Sequence, residues 1–203
     1  MITLLTERMK MIFPRNNVVF MLMTALVLMG AQGCATRTDV YRDTNMDFGS
    51  IKTLAVMPLA NDTRDQLGSD RVRDVLVTDL LATSAVYVLP IGELARGIVN
   101  SNIANPSSPS VDEIVRLCKI IKADAVITGT LREYGEIRSS TAVSDVVSLS
   151  LQLIEGQTGR VVWSASTTEG GVSVKDRLLG GGGNPINDTT EKAVNDLLTK
   201  LFQ

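Results

Sequence analysis

The sequence predicts an α/β (α+β) domain, a single mixed β-sheet with packed helices in the order β-α-β-α-α-β-β-β-α. Three observations carry this. Val147, Leu149, Leu151 and Leu153 alternate with Ser148, Ser150 and Gln152, the period of a strand with one buried and one wet face. Several other segments place apolar residues at three-to-four spacing, the period of a helix with one buried stripe. Short apolar runs closed by turn residues stand between those helices, so strands and helices alternate along most of the chain.

The elements follow in order. Ile51 to Pro58 (IKTLAVMP) fits a buried strand, closed by Pro58 and the turn-prone Asn61-Asp62. From Ser69 to about Thr83, Val72, Val75, Leu76 and Leu80 mark a helix, with Arg71, Arg73 and Asp74 between them. Ala85 to Leu89 is a second strand, Ile91 to Val99 a short helix, and Asn100 to Pro109 a loop rich in Asn, Ser and Pro. Ser110 and Glu113 match a capping box, in which hydroxyl and carboxylate each satisfy an orphan backbone N–H. The helix they open is expected to bury Val111, Ile114, Val115, Cys118 and Ile121.

Three strands come next. Ala125 to Tyr134 is the first, the alternating segment around Val147 to Leu153 the second, and Arg160 to Thr167 returns antiparallel after the turn Gly156 to Gly159. Glu169 to Asn184 reads as a flexible segment holding Gly180 to Gly183 in succession. A last helix is expected near Asp188, with Glu191 completing a second capping box. It presents Ala193, Val194, Leu197, Leu198, Leu201 and Phe202 as one stripe.

The start of the chain is different in kind. Residues 1–33 carry Arg8, Lys10 and Arg15 against Glu7, then an uncharged run from Val18 to Ala31, then Gln32, Gly33 and Cys34. A basic stretch, an apolar stretch and a small-residue end make a secretory signal peptide. The run is short of the roughly 20 residues a spanning helix needs. Met9 or Met11 would open a more compact basic stretch than Met1. Ala31-Gln32-Gly33-Cys34 resembles a bacterial lipobox, apart from Gln32, which stands where a small residue is usual. Cleavage is therefore expected between Gly33 and Cys34, with Cys34 lipidated. Ala35, rather than Asp, after the Cys favours the outer membrane.

Domain organisation follows: 1–33 a signal peptide, 34–50 a lipidated linker, 51–203 a periplasmic α/β domain. As a flexible coil the polar linker would span roughly 20–25 Å on average, which keeps the domain beside its bilayer. Only Cys34 and Cys118 are present, so a lipidated Cys34 leaves Cys118 without a partner in the chain. Its helical position makes it a core residue rather than a reactive thiol.

The mature chain holds 17 basic and 21 acidic residues, a net charge of −4, and no basic aromatic stretch. Nucleic-acid binding is set aside. The complete absence of His removes the commonest general base and the commonest zinc ligand, and neither metal nor cofactor is expected. Carboxylates are left for acid–base chemistry. Asp62 and Asp65 follow a strand end, where α/β folds often bind ligands, but solvated turn residues are the plainer reading. Asp112 and Glu113 suit the positive end of a helix without further purpose. Gly180 to Gly183 is followed by Asn184-Pro185 rather than the Lys and hydroxyl residue of a phosphate loop, so it reads as a segment ordered by a partner. Trp163 on the returning strand reads as core.

Leu54-Ala55-Val56-Met57-Pro58-Leu59 with Asn61, then Ala123 to Leu131 (ADAVITGTL), then Thr158 to Ser164 (TGRVVWS) occur in that order across residues 51–168. The ordered set resembles a superfamily of outer-membrane lipoprotein domains that includes the curli secretion channel lipoprotein CsgG and the penicillin-binding-protein activator lipoprotein LpoB. The resemblance implies a mixed α/β fold acting through protein–protein contacts, without a catalytic site. About ten residues, Gly135 to Ser144, separate the two central strands, too few for a pore-forming hairpin. The linker is far shorter than the activator's long tether.

These readings define a non-catalytic accessory or scaffold protein of envelope secretion or surface assembly, lipid-anchored in the outer membrane and facing the periplasm. Its partners are the membrane, envelope proteins and a second copy of the chain. The loops 100–109 and 170–187, with Gly180, Gly181, Gly182, Gly183 and Asn184, are the candidate contacts. The alternatives are a regulator of peptidoglycan synthesis that binds a penicillin-binding protein, and a hydrolase or ligand-binding protein using Asp62 and Asp65.

Overall fold

The computed structural model describes residues 40–138, 143–171 and 184–203. The signal segment, Cys34 and Gly180 to Gly183 lie outside them. The strands are β1 (Val40–Arg42), β2 (Thr53–Val56), β3 (Ala60–Asn61), β4 (Tyr87–Val88), β5 (Ala125–Arg138), β6 (Val143–Glu155) and β7 (Val161–Gly170). The helices are α1 (Gly68–Thr83), α2 (Ile91–Asn100), α3 (Val111–Ile121) and α4 (Ile186–Phe202). They form one mixed sheet in the order β1-β7-β6-β5-β2-β4, with β3 also paired to β5.

β5 is the spine. Along one edge it pairs in parallel with β2 and then β3, and along the other it runs antiparallel to β6. Leu54, Ala125, Ile127, Leu149, Leu151, Leu153 and Trp163 share one core with residues of α1 and α4. Ala55, Met57, Val126 and Ile154 share a second core with residues of α2 and α3. β2 and the start of β5 are thus apolar on both faces. β6 and β7 bury mainly one face; α2 and α3 reach the other only near Ile154 and Val161.

Ser110 caps α3 as expected: its hydroxyl accepts the Glu113 N–H, and the Glu113 carboxylate accepts the Ser110 N–H at 2.7 Å. The buried face of α3 is Ile114, Leu117 and Cys118, while Val111 is 55% exposed on the first turn. Its Cγ1 lies over Gly159, where a Cβ would come within 2.5 Å. α4 starts at Ile186 after Pro185, two residues before Asp188, so the expected capping box is not formed. Asp188 sits in the first turn instead, where the helix dipole favours it. Ala193, Val194, Leu197, Leu198 and Leu201 are buried, but Phe202 is 43% exposed at the last turn.

The largest departure from the sequence reading is at residues 40–50, left there to the linker. They dock on the domain. β1 adds to β7, and the Arg42 guanidinium lies 3.8 Å from the Phe48 ring and donates to the Leu201 carbonyl at the C-terminal end of α4. Asp43 is buried and receives Arg160 Nη2 at 2.7 Å. The segment's signal is not apolar periodicity but polar groups whose partners lie more than a hundred residues away.

Two of the sequence motifs have local causes. The Asp124 carboxylate accepts the backbone N–H groups of Lys52 and Thr53, both at 2.8 Å, and so fixes the start of β2 beside β5. At Gly129 a Cβ would lie 2.4 Å from the Ser150 carbonyl oxygen, so only glycine lets β6 pass there. Replacing Asp124 with Ala leaves both donors unanswered and is expected to cost about 2–3 kcal/mol of stability, read from urea unfolding.

Candidate functional site

The face of β5, β6 and β7 that no helix covers is lined mostly with uncharged polar groups, with Glu133 opposite Ser148 toward one end. Cross-strand pairing aligns Thr128 with Gln152 and Ser164, and Thr130 with Ser150 and Ser166. Ser148 and Thr168 follow, their hydroxyls 2.9 Å apart. The alternation that makes β6 amphipathic creates this row: every Leu that enters the core sends a neighbouring Ser or Gln to the opposite face.

The loop after α2 closes one end of the row. Ile103 is buried and pins the loop, and the Ser101 hydroxyl donates to the Gly97 carbonyl at 2.7 Å. Asn105 accepts the Ser107 hydroxyl at 2.9 Å, and its carbonyl accepts the Ser108 N–H. Ser107, Ser108 and Pro109 thereby stand over Thr128, Thr130, Ser150 and Gln152, enclosing a groove of about 220 Å³. The groove has hydroxyl and amide groups that both donate and accept, and no ionised side chain in its lining. Such a surface suits a backbone or another polar surface. It supplies no activated nucleophile.

The predicted loop 100–109 lines this groove, and its complement on β5 and β6 is, in the sequence, only the wet side of two strands. Asn184 does not join it. That residue precedes α4, which packs on the opposite face, and its carbonyl accepts the Thr189 hydroxyl at 3.5 Å.

The carboxylates are occupied separately. Asp65 accepts the Leu67 N–H with one oxygen and Arg71 with the other, while Asp62 is exposed and its backbone pairs with Leu131. Glu113 is held by the Ser110 N–H and hydroxyl, which pull its carboxyl below the usual range. Among the described residues, no group of three or more His, Cys, Asp or Glu could hold a metal ion.

Cys118 is 4% exposed in the second core, and burial, aided by Asp124, pushes its thiol up to about 11 from an ordinary 9.0.

Fold and groove together describe a small mixed-sheet domain with an open polar groove on one face. The chain belongs to the family described as peptidoglycan-synthase activator LpoB, whose family model matches residues 34–168. Among solved structures, the PelC dodecamer from Paraburkholderia phytofirmans is 17% identical, with a TM-score of 0.54 over 81% of this chain and 95% of that one. Lipoprotein GNA1162 from Neisseria meningitidis is 19% identical, with a TM-score of 0.53 over 74% of this chain and 97% of its own. These two share the fold. The LpoB C-terminal domain from Salmonella enterica aligns at 16% identity and a TM-score of 0.46, over 62% of this chain and 86% of that one. No curated protein matches the sequence.

The Cys118 environment gives a pH test. A raised folded pKa stabilises the protein fully below the unfolded thiol pKa, and that contribution is lost as pH rises from about 9 through about 11, because the unfolded chain ionises first. Urea midpoints measured across this range should fall less steeply for Cys118→Ala than for the wild type.

Proposed function

We propose that this protein is an outer-membrane lipoprotein that faces the periplasm and acts on envelope partners by protein–protein contact, without catalysis. Membership of a family of enzyme activators carries the reading. The family match begins at Cys34, the residue that the signal segment marks for lipidation. Among the described residues, no helix is long and apolar enough to cross a membrane. The groove between Ser107–Pro109 and the β5–β6 face is the contact surface, because it is open, polar and uncharged.

The family description supports a peptidoglycan synthase as the partner, and a penicillin-binding protein is the form to test. Reach narrows how they meet. With β1 part of the domain, residues 35–39 alone join it to Cys34, so the domain stays within roughly 20 Å of its anchor. A synthase has to come to the outer-membrane side, or the partner is a component of a secretion or surface-assembly apparatus already there. A second copy of the chain is a further partner, suggested by the dodecameric assembly of the PelC relative. A pore of the secretion-channel kind is disfavoured, because only residues 139–142 lie between β5 and β6.

Two measurements test this. Cys34→Ser should move the protein from the membrane fraction to the soluble fraction, and retention in the membrane would overturn the anchor. Ser150→Arg fills the groove at a strand position that faces out of the core, and should weaken cross-linking to a purified penicillin-binding synthase by about tenfold or more, the effect of one strong interface position. Unchanged cross-linking would exclude the groove, and no cross-linking of the wild type would exclude the synthase.

A further inference from the structure

The segment that follows β1 crosses the end of the sheet to reach β2, on the far side of β5, and packs Met46 and Phe48 against the first core on its way. It does not close that core. Between this segment and the last turn of α4 lies an apolar pocket of about 240 Å³, on the face of the sheet opposite the groove. Its floor is Leu54, Leu153 and Leu201, all buried. Its mouth is formed by Phe48, by Phe202, which is 43% exposed, and by Arg42, the one ionised side chain among the described residues that line it.

Arg42 is held in position before any ligand arrives. Its guanidinium lies against the Phe48 ring, and Nη1 donates to the Leu201 carbonyl at 2.9 Å. These contacts leave Nε and Nη2, the side-on fork whose two parallel N–H groups match the oxygens of a carboxylate. Among the described residues no carboxylate takes that fork. The acids of the same segment are engaged elsewhere: Asp43 holds Arg160, and Asp47 accepts the Gly49 N–H.

Size narrows the ligand. An apolar cavity of ~150 Å³ holds one benzene, so this pocket takes roughly ten non-hydrogen atoms. That is too few for a drug-sized ligand and about right for one large residue. The residue that carries a large apolar group and a carboxylate within that count is the last residue of a polypeptide.

We propose that this pocket receives the C-terminal residue of a partner polypeptide, its Leu or Phe side chain on the apolar floor and its terminal carboxylate on Nε and Nη2 of Arg42. Phe48 and Phe202 flank the entering side chain. The fork sets the selectivity, since an internal apolar residue or an amidated end leaves it without an acceptor. Pocket and groove lie on opposite faces, so a chain end held here leaves the groove open to a second contact.

The test uses the protein as the cell processes it, purified from the fraction that holds it and freed of detergent. The probe is the pentapeptide Ser-Gly-Ser-Gly-Phe with a dye on its N-terminus, read by fluorescence anisotropy. The free acid should bind at least about tenfold more tightly than the C-terminal amide, and exchange of Phe for Ser should abolish binding. Arg42→Gln keeps a donor for the Leu201 carbonyl and should bring the acid down to the level of the amide. Val86→Phe fills the pocket from its wall, away from the contacts of Arg42, and should weaken acid and amide alike. Equal affinity of the wild type for acid and amide would overturn the proposal, even if neither variant folds. Undiminished binding to a folded Val86→Phe protein would overturn it as well. Displacement of the peptide by octanoate at concentrations about tenfold below the peptide's own dissociation constant would assign the pocket to a free aliphatic carboxylate and overturn the chain end.

Discussion

β5 is hydrogen-bonded along both edges, and its two edges demand different things. The parallel edge to β2 and β3 requires crossover connections, which place α1 on one face and α2 and α3 on the other. The antiparallel edge to β6 needs only a short hairpin and brings no helix with it. One half of the sheet is therefore clad on both sides, and the other is clad only by α1 and α4. The unclad quarter is where the groove lies, so the groove is a direct result of mixed strand direction around one strand. Asp124 and Gly129 keep that strand in register, one by pinning the start of β2, the other by letting β6 pass close.

Elements whose signal is periodic in their own residues were legible in the sequence. The nine expected strands and helices are all present, and the two faces of β6 separate as its alternation requires. What was missed is short and non-local. β1 is three exposed residues that pair with β7 more than a hundred residues on, and β3 is two residues after a proline. Neither is long enough to display a period. The false capping box at Asp188 has a different cause: the pattern of Asp and Glu fits, but Pro185 is already suited to start a helix two residues earlier.

The candidate site was half legible for the same reason. A loop rich in Asn, Ser and Pro announces itself, and residues 100–109 were marked on composition. Their complement is Thr128, Thr130, Ser150 and Gln152, which in the sequence are only the polar members of two amphipathic strands. A groove made by two such strands and a distant loop exists only once the sheet order is known. Trp163 and Cys118 show the converse: each is a residue type with strong functional associations, and each is explained by the core it fills.

The correction at residues 40–50 bears most on function. Read as linker, they gave the domain a flexible reach. Folded onto β7 and α4 through Arg42 and Asp43, they belong to the domain, and β7 is no longer the edge of the sheet. The carboxylate of Asp43 is buried only because Arg160, at the start of β7, reaches it, so the segment and the returning strand hold each other in place.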